Sequence, residues 1–568
     1  MELSHFLLFA SLAVQVVSGL EVGDRCREST FESILEDNQS IEKVDAVSKG
    51  DDYGEGEENL GYPNNPAKLP ELCAVTVRVT SSARSAYRFG LFLPTDWNSR
   101  FLAVGNGGFA GGINWLDMGA GARYGFAAVS TDTGHNSNSS DLTWALNNEE
   151  MRVDWGWRAM HGSVDLSKKL VSAYYERNAE HSYYSGCSTG GRQGLRELQA
   201  FPDSFDGAMI GAPAWDPTLM NSYVTQVGIY NLPVDDPKHI EKDLLEIIAA
   251  EVVKQCDGSD GVQDGIISSP GDCNVDFTAI SCDRGDLTSE HCLTPQQVDT
   301  IHKLYDDFRS PEGEFIWTGY EPGSEAGWSS VIGADQPSAF GYGFQRYFVY
   351  NDPDWSWKDF NFSVLQDTVK MNPGRTRADL YDLSDFQKRG GKIALYHGMA
   401  DGLIPTRASK LYYDRVSEAM GGQPTDFFRY FPVPGMQHCW TTVVDAPWHF
   451  AGAFQAAALG NDTWSVPGYQ DAQHDLLLAL VDWVEKDTPV DSVIATTWKT
   501  ANDSSTGVLR QRPICAFPQK AVYDGKGNVN EASSWECKDE EGSSARRGLP
   551  SSAVVGIIIV LTAWMFWM

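Results

Sequence analysis

The chain contains 568 residues, with 44 Lys and Arg against 77 Asp and Glu and a formal net charge of −33 at pH 7. A surface of this charge repels nucleic acids and other polyanions, so we expect no nucleic-acid partner and a neutral or weakly charged small-molecule substrate. The length exceeds what one ordinary hydrophobic core supports, which predicts one large domain with a second domain or a large insertion.

The N-terminal residues 1–19 have the pattern of a secretory signal peptide. An apolar run from Phe6 to Val17 is followed by the small residues Ser18 and Gly19, as in a cleavage region. The alternative is a buried N-terminal helix. The polar, cysteine-containing sequence that follows favours export, so we predict a secreted protein from which this segment is removed.

Ten cysteines in an exported chain predict five disulfides. Sequence spacing suggests four pairs, which are Cys26 with Cys73, Cys256 with Cys273, Cys282 with Cys292, and Cys515 with Cys537. Cys187 and Cys439 remain, far apart in sequence. N-glycosylation sequences agree with secretion and stand at Asn38, Asn138, Asn361, Asn461 and Asn502.

Short apolar runs alternate with helical patterns, which predicts an α/β domain with a mostly parallel sheet covered on both faces. The predicted strands are FLAVGNGG at 101–108, FAAVSTDTG at 126–134, SYYSGCS at 182–188, GAMIGAPA at 207–214, KIALYHGMAD at 392–401 and FFRYFPVPG at 427–435. Helical patterns follow Gly162, Ser188 and His474. Residues 20–213 and 391–540 are therefore predicted to form the catalytic domain.

The alternation breaks between Pro213 and Lys392, where loops rich in Gly, Pro and Asp surround many aromatic residues. We interpret residues 214–390 as a lid domain inserted at the carboxyl edge of the sheet, where ligands bind in such folds. Its aromatic side chains either line a pocket or form the lid's own core. They are Trp317, Tyr320, Trp328, Tyr342, Phe344, Tyr347, Phe348, Trp355 and Trp357.

The segment Gly186-Cys187-Ser188-Thr189-Gly190 lies between a predicted strand and a predicted helix. This is the context of a nucleophile elbow, in which glycines allow a sharp turn that exposes a reactive serine. A G-x-S-x-G match alone is weak, because a chain this rich in glycine produces it by chance. The strand and helix around it favour Ser188 as a nucleophile.

Asp401 and His438 each follow a later predicted strand, in the chain order that hydrolases with such an elbow use. A serine hydroxyl needs an imidazole to take its proton, and the imidazole needs a carboxylate to hold it. We therefore predict Ser188, Asp401 and His438 as a catalytic triad; His135, His161 and His397 are the competing histidines.

The two remaining cysteines support this triad, because Cys187 precedes Ser188 and Cys439 follows His438. A disulfide between them would hold the nucleophile and the base on adjoining backbone positions. For the oxyanion hole we predict the backbone N–H of Thr189 and N–H groups of the glycine-rich loop at Gly107 and Gly108. The alternative for that loop is an ordinary tight turn.

The segment from Asp257 to Ile266 carries three carboxylates separated by glycines. Oxygen ligands in this number suit Ca²⁺. We predict a structural calcium site formed by Asp257, Asp260, Asp264 and the carbonyls of Val262 and Ile266, with an acidic surface turn as the alternative.

The C-terminal segment 543–568 has small residues, a polar spacer and then an apolar run from Ala553 to Met568. This order is typical of a signal for a glycolipid (GPI) anchor. A transmembrane segment is the alternative, although the run is short for the roughly 20 residues that a bilayer requires. In both cases the protein contacts the membrane only through this tail, and we predict a cell-surface location.

Five motifs together resemble the fungal tannase and feruloyl esterase family: G-C-S-T-G-G, G-N-G-G-F-A-G-G, D-G-S-D-G-V-Q-D-G-I-I, H-G-M-A-D and G-M-Q-H-C. The resemblance spans Cys26 to Cys537. It implies an α/β-hydrolase fold with a lid inserted before the strand of the acid, the catalytic arrangement Cys187, Ser188, Asp401, His438 and Cys439, and calcium in the lid. Family members are typically released, so the apolar tail is a departure.

The same resemblance implies esters of phenolic acids as substrates, with the lid aromatics stacking on the phenolic ring. These are small phenolic esters or the polyphenol esters of plant cell walls. We favour a feruloyl esterase, with a tannase acting on galloyl esters as the near alternative. A surface-anchored binding module without turnover and a serine peptidase are the alternatives from other classes. The sequence carries no information on the oligomeric state.

Overall fold

A nine-stranded mixed sheet forms the centre of the protein in a computed structural model that describes residues 25–284 and 291–539. The predicted signal peptide and anchor signal lie outside the described residues. In the part of the chain that the structure describes, no helix combines the length and apolar character needed to cross a bilayer.

The strand order in the sheet is β1-β2-β3-β5-β4-β6-β7-β10-β11. The strands are β1 Gln39–Val47, β2 Leu72–Ser82, β3 Ser85–Pro94, β4 Arg100–Val104, β5 Ala127–Thr131, β6 His181–Cys187, β7 Gly207–Gly211, β8 Phe308–Arg309, β9 Phe315–Trp317, β10 Lys392–Gly398, β11 Phe428–Val433, β12 Ser492–Thr500, β13 Asp503–Cys515, β14 Gln519–Tyr523 and β15 Trp535–Asp539. Strands β5, β4, β6, β7, β10 and β11 are parallel. These are the six predicted strands, whereas β1 to β3 add an antiparallel edge that the prediction did not include.

Helices cover both faces of the sheet, as predicted. They are α1 Trp115–Arg123, α2 Glu149–Val153, α3 Ala159–Tyr175, α4 Thr189–Ala200, α5 Pro217–Asn231, α6 Lys242–Cys256, α7 Pro295–Tyr305, α8 Ala339–Gly343, α9 Phe362–Met371, α10 Ser384–Lys388, α11 Thr406–Ala419, α12 Gln455–Leu459 and α13 Leu476–Lys486. Side chains of α3 and α4 share one buried cluster with Phe101 and Ala103. Side chains of α1 and α13 share the other with Leu102 and Val104. Successive residues of β4 thus enter opposite cores.

The region predicted as a lid leaves the sheet after β7 and returns at β10, and these two strands are direct neighbours. It contains α5 to α10 and the short ribbon of β8 and β9. Within 25–284 and 291–539, it adds no strand to the nine-stranded sheet. The segment is therefore an insertion between two adjacent strands, at the carboxyl edge.

All ten cysteines are disulfide-bonded. The bonds are Cys26–Cys73, Cys187–Cys439, Cys256–Cys273, Cys282–Cys292 and Cys515–Cys537. These are the pairs that sequence spacing and elimination suggest. The last of them joins the C-terminal ribbons, formed by β12 with β13 and by β14 with β15.

Candidate active site

Ser188 occupies a strained turn between β6 and α4. Its φ of 62° and ψ of −123° lie outside the regions that serine ordinarily adopts. A Cβ at Gly186 would lie 2.7 Å from the backbone of Gly190, and a Cβ at Gly190 would lie 2.9 Å from the carbonyl oxygen of Asn106. The flanking glycines are therefore required by backbone contacts, as expected for a nucleophile elbow.

Asp401 and His438 follow the neighbouring parallel strands β10 and β11. His438 Nδ1 lies 2.6 Å from Asp401 Oδ2, so this nitrogen donates its proton to the carboxylate. Asp401 Oδ1 accepts the backbone N–H groups of Leu403, at 2.8 Å, and Ile404, at 2.9 Å. Burial alone would raise the pKa of Asp401, but the charge of His438 and hydrogen bonds from both neighbouring histidines hold it well below its usual range. His438 Nε2 remains to accept a proton.

His397 is the second histidine on Asp401, a contact that the sequence analysis missed. It is fully buried, and its Nε2 lies 2.9 Å from Asp401 Oδ2 and 3.1 Å from the carbonyl oxygen of Ile404. Because both partners accept, Nε2 carries the proton. Nδ1 lies 2.7 Å from the hydroxyl of Ser409. The four-residue spacing of His397 and Asp401 at a strand end is the only signal in the sequence that could have suggested this pair.

The other competing histidines have structural partners. His135 is buried, stacks on Trp144 and lies with Nε2 3.0 Å from the carbonyl oxygen of Phe109. His161 stacks on Phe201, and its Nδ1 lies 2.8 Å from Glu197. Neither histidine borders the cavity that contains Ser188.

The Cys187–Cys439 disulfide connects the residue before Ser188 to the residue after His438, with the two Cα atoms 6.0 Å apart. Ser188 and His438 both border one cavity of about 210 Å³. Among the described residues, the Ser188 hydroxyl has no hydrogen-bond partner, and the residue as a whole is 8% exposed. The bond thus keeps the serine and the imidazole at the same cavity, although they are 250 residues apart in the chain.

The cavity walls are mostly apolar. The lining residues are Gly107, Gly108, Phe109, Ser139, Trp155, Ser188, Thr189, Ala214, Pro217, Met220, Asn221, Val224, Phe340, Leu403, Ile404, His438, Cys439, Trp440 and Phe454. None of the nine lid aromatics named from the sequence is among them, which contradicts the stacking role that the family resemblance implies and agrees with the alternative that they form core. Trp317 and Trp328 are completely buried in the larger core cluster, and Phe344 is completely buried in a cluster with Phe109 and Trp155.

The three predicted oxyanion donors differ in their contacts. The N–H of Gly107 donates to the hydroxyl of Tyr62 at 2.7 Å, a contact that the sequence did not indicate. Within the described parts of the chain, the N–H of Gly108 has no partner. Thr189 is the first residue of α4, so its N–H has no acceptor inside the helix. Two N–H groups, those of Gly108 and Thr189, remain available at the cavity.

The sequence model described as "Tannase and feruloyl esterase" matches residues 73–538. The chain belongs to this family. It is therefore a carboxylic ester hydrolase, and its fold is the α/β-hydrolase fold.

Two relatives illustrate the similarity of this family member to curated proteins. It is 34% identical over 498 residues to "Probable feruloyl esterase B-1" of Aspergillus flavus, with 85% of this chain and 91% of the relative covered. It is 32% identical over 552 residues to "Probable feruloyl esterase B-1" of Aspergillus terreus, with 94% of this chain and 100% of the relative covered.

Two solved structures show the same fold. Feruloyl esterase B from Aspergillus oryzae superposes with a TM-score of 0.82 at 31% identity, covering 91% of this chain and 100% of that one. Tannin acyl hydrolase from Aspergillus niger superposes with a TM-score of 0.70 at 20% identity, covering 92% and 96%. At that identity, the second comparison concerns the fold alone.

The predicted calcium loop of this esterase follows α6. Asp257 Oδ1 accepts the N–H groups of Asp264, at 3.0 Å, and of Gly265, at 2.9 Å. Asp260 Oδ1 accepts the N–H of Val262, whereas Asp260 Oδ2 is buried and has no partner among the described residues. Burial raises the pKa of Asp260.

A second feature of this loop opposes metal binding. Asp264 forms an ion pair with Arg512. In the described ranges, no group of three or more His, Cys, Asp or Glu side chains could hold a metal ion by side chains alone, so a Ca²⁺ ion here would also need backbone carbonyl oxygens. The oxygen donors have the chemistry for Ca²⁺, but a metal would compete with Arg512 for one of the carboxylates.

Proposed function

We propose that this protein is a secreted serine carboxylesterase that hydrolyses esters of phenolic acids, with Ser188 as the nucleophile, His438 as the general base and Asp401 as its carboxylate partner. One observation carries the proposal: a strained serine and an Asp-bound imidazole border the same cavity, and a disulfide joins their neighbours. A serine in a strained conformation whose hydroxyl has no structural partner is typical of a reactive site.

In the proposed first step, His438 Nε2 takes the proton of Ser188 as Oγ attacks the ester carbonyl carbon. The N–H groups of Gly108 and Thr189 stabilise the negative oxygen of the tetrahedral intermediate. The C–O bond to the alcohol then breaks, and the alcohol leaves with the proton from His438. Water attacks the acyl-enzyme while His438 takes its proton, and collapse returns that proton to Ser188 and releases the acid.

The cavity and the relatives support the proposed substrate class. An apolar space of about 210 Å³ bordered by Phe109, Trp155 and Phe340 suits a single flat ring. The relatives at 34% and 32% identity are both named for feruloyl esterase activity, which favours hydroxycinnamoyl over galloyl esters. Galloyl ester hydrolysis is the alternative.

Parallel assays test this proposal. We expect Ser188-dependent hydrolysis of methyl ferulate, caffeate and p-coumarate, with less activity on methyl gallate. Ser188→Ala should abolish turnover and labelling by a fluorophosphonate, while Ser182→Ala on the preceding strand β6 should leave both intact. Absence of both labelling and ester hydrolysis would support a non-catalytic module. Cleavage of peptides in preference to aryl esters would support a peptidase.

Export to an oxidising compartment is part of the proposal, because all ten cysteines are paired. The five asparagines of the N-glycosylation sequences are all exposed, so transferases could reach them. We expect the protein from its native host to lose mass on treatment with an N-glycosidase. An unchanged mass would contradict glycosylation.

We also propose a glycolipid anchor attached after removal of part of segment 543–568. Treatment of intact cells with a phosphatidylinositol-specific phospholipase should then release the esterase into the medium. Retention after this treatment, together with extraction only by detergent, would support the transmembrane alternative.

For the loop from Asp257 to Ile266 we propose a structural Ca²⁺. The buried, unpartnered oxygen of Asp260 is the observation that supports it, because an unpaired buried carboxylate oxygen is costly and a cation would satisfy it. We expect one calcium per chain by elemental analysis and a lower unfolding temperature after chelation. Asp260→Asn should remove both effects; a metal-free protein with unchanged stability under chelator would refute the site.

A further inference from the structure

One polar side chain in the cavity wall has no role in the mechanism above. Asn221 lies on α5, and the cavity is bordered by Pro217, Met220, Asn221 and Val224 of this helix. The spacing i, i+3, i+4 and i+7 places these four residues on one helical face. Asn221 is 1% exposed, so its amide is buried on the face that α5 presents to the cavity.

Both polar atoms of this amide are unpartnered. Asn221 Nδ2 and Oδ1 have no hydrogen-bond partner in the described portion of the chain. Neighbouring hydroxyls on the same helix are paired: Ser222 donates to Thr218 at 2.7 Å, and Thr225 donates to the carbonyl oxygen of Asn221 at 3.0 Å. A buried polar group without a partner costs about 1–3 kcal/mol. The fold therefore gains nothing from the polarity of Asn221.

Trp155 provides a second unpartnered donor on the cavity wall. Its Nε1 is buried and lacks a partner among residues 25–284 and 291–539. Its ring stacks on Phe109 at 5.0 Å between centroids. No Lys or Arg borders the cavity, which disfavours an anionic group on the ligand. The lining fits a neutral aromatic ring that bears oxygen substituents.

We propose that Asn221 is a specificity-determining residue that recognises a hydroxyl on the aromatic ring of the acyl group. Asn221 Oδ1 accepts the phenolic O–H, and Nδ2 donates to a ring oxygen. Trp155 Nε1 is placed to donate to a second ring oxygen. A phenol both donates and accepts, as does a carboxamide. This inference rests on the proposed esterase function and adds the feature of the acyl ring that the site selects.

The chemistry predicts discrimination against rings without oxygen. An unsubstituted cinnamoyl ring fills the same apolar space but leaves the buried amide unpaired, and sites built to pair a hydroxyl reject analogues that lack it. We expect kcat/KM for methyl p-coumarate to exceed that for methyl cinnamate by about tenfold or more. Asn221→Leu should lower kcat/KM for methyl p-coumarate by about tenfold or more and leave methyl cinnamate unchanged or improved.

Gln226→Leu is the matched control, because it makes the same amide-to-apolar change on α5 at a partly exposed position that does not border the cavity. It should preserve the preference of the wild type. Equal losses on both esters in Asn221→Leu, or no preference in the wild type, would overturn the inference.

If Asn221→Leu does not fold, inhibition constants measured on the wild type test whether the site recognises the ring hydroxyl. As competitive inhibitors, the neutral amide of p-coumaric acid should bind about tenfold more tightly than the amide of cinnamic acid, and equal inhibition constants would overturn the inference. Failure of the esterase proposal is distinguishable: it would appear as a lack of Ser188-dependent hydrolysis of every aryl ester. Ser188-dependent hydrolysis without ring discrimination would refute the role of Asn221 alone.

Discussion

Replacing Cys187 and Cys439 together by alanine would test whether the disulfide between them maintains the catalytic geometry. The bond spans 252 residues of sequence. Both segments that it joins are strained, since Ser188 has φ 62° and Cys439 itself has φ 65°. Each such conformation costs about 1–3 kcal/mol and persists only where the surrounding structure enforces it. Without the bond, we expect both segments to relax.

The magnitude can be estimated from loop lengths. Closing a 252-residue loop restricts the unfolded chain by about 5.5 kcal/mol, against about 3.4 kcal/mol for the 22-residue loop of Cys515–Cys537, in the chain-entropy relation. The first value is an upper estimate, because the other disulfides already cross-link the unfolded chain. For catalysis, a displacement of about 1 Å between reacting groups costs about 100-fold.

The assay compares two double variants, Cys187→Ala/Cys439→Ala and Cys515→Ala/Cys537→Ala. Both should lower the midpoint of urea unfolding, but only the first should lower kcat/KM on methyl ferulate by about 100-fold at temperatures where both remain folded. Reducing agent should reproduce this loss in the wild type. Equal activity losses in the two variants, or full activity after confirmed reduction of the first bond, would refute the reasoning.

Three further predictions concern single residues. Asp401→Asn should lower kcat by about 10⁴-fold on methyl ferulate with little change in KM, because the imidazole would lose its carboxylate partner; a loss below tenfold would contradict the triad. Gly108→Ala should lower kcat by about 100-fold, because its Cβ would lie 2.7 Å from the carbonyl oxygen of Ser139 and φ is 53°; unchanged kcat would exclude this N–H as an oxyanion donor. Burial raises the pKa of Glu325 from 4.5 to about 7, so the protonated carboxyl contributes fully to stability below about pH 4.5, and this contribution is lost as the pH rises to 7. The free energy of unfolding of Glu325→Gln should therefore rise relative to that of the wild type by about 3 kcal/mol between pH 4.5 and 8. A constant difference between the two proteins across this range in urea titrations would refute the raised pKa.

Several features were predictable because their physical causes are local. The six buried parallel strands are continuous apolar runs, since both of their faces are covered by helices. The turn at Ser188 needs a glycine two residues away on each side, and the short motif G-x-S-x-G indicates this need. The disulfide pairs followed from spacing, because four of them close short loops and only one pair was left.

Other features depended on contacts between distant segments. Strands β1 to β3 joined the sheet through antiparallel pairing that no motif marks. The hydroxyl of Tyr62, 45 residues away in the sequence, accepts the N–H of Gly107. For the lid aromatics the sequence left two alternatives, pocket wall or core, because composition alone does not indicate which face of an element is buried. The structure buries Trp317 and Trp328 in the larger core cluster.

The sequence by itself identified the residues of the proposed site: a serine in a glycine-flanked turn, an aspartate and a histidine after later strands, and cysteines beside two of them. Only the tertiary structure decided the environment of that chemistry. It placed His397 beside Asp401, paired the N–H of Gly107 with the hydroxyl of Tyr62 and placed Asn221 in the cavity wall. The physical reason is that residue type and spacing specify local backbone geometry, whereas the partners of a buried polar group depend on how separate elements pack together.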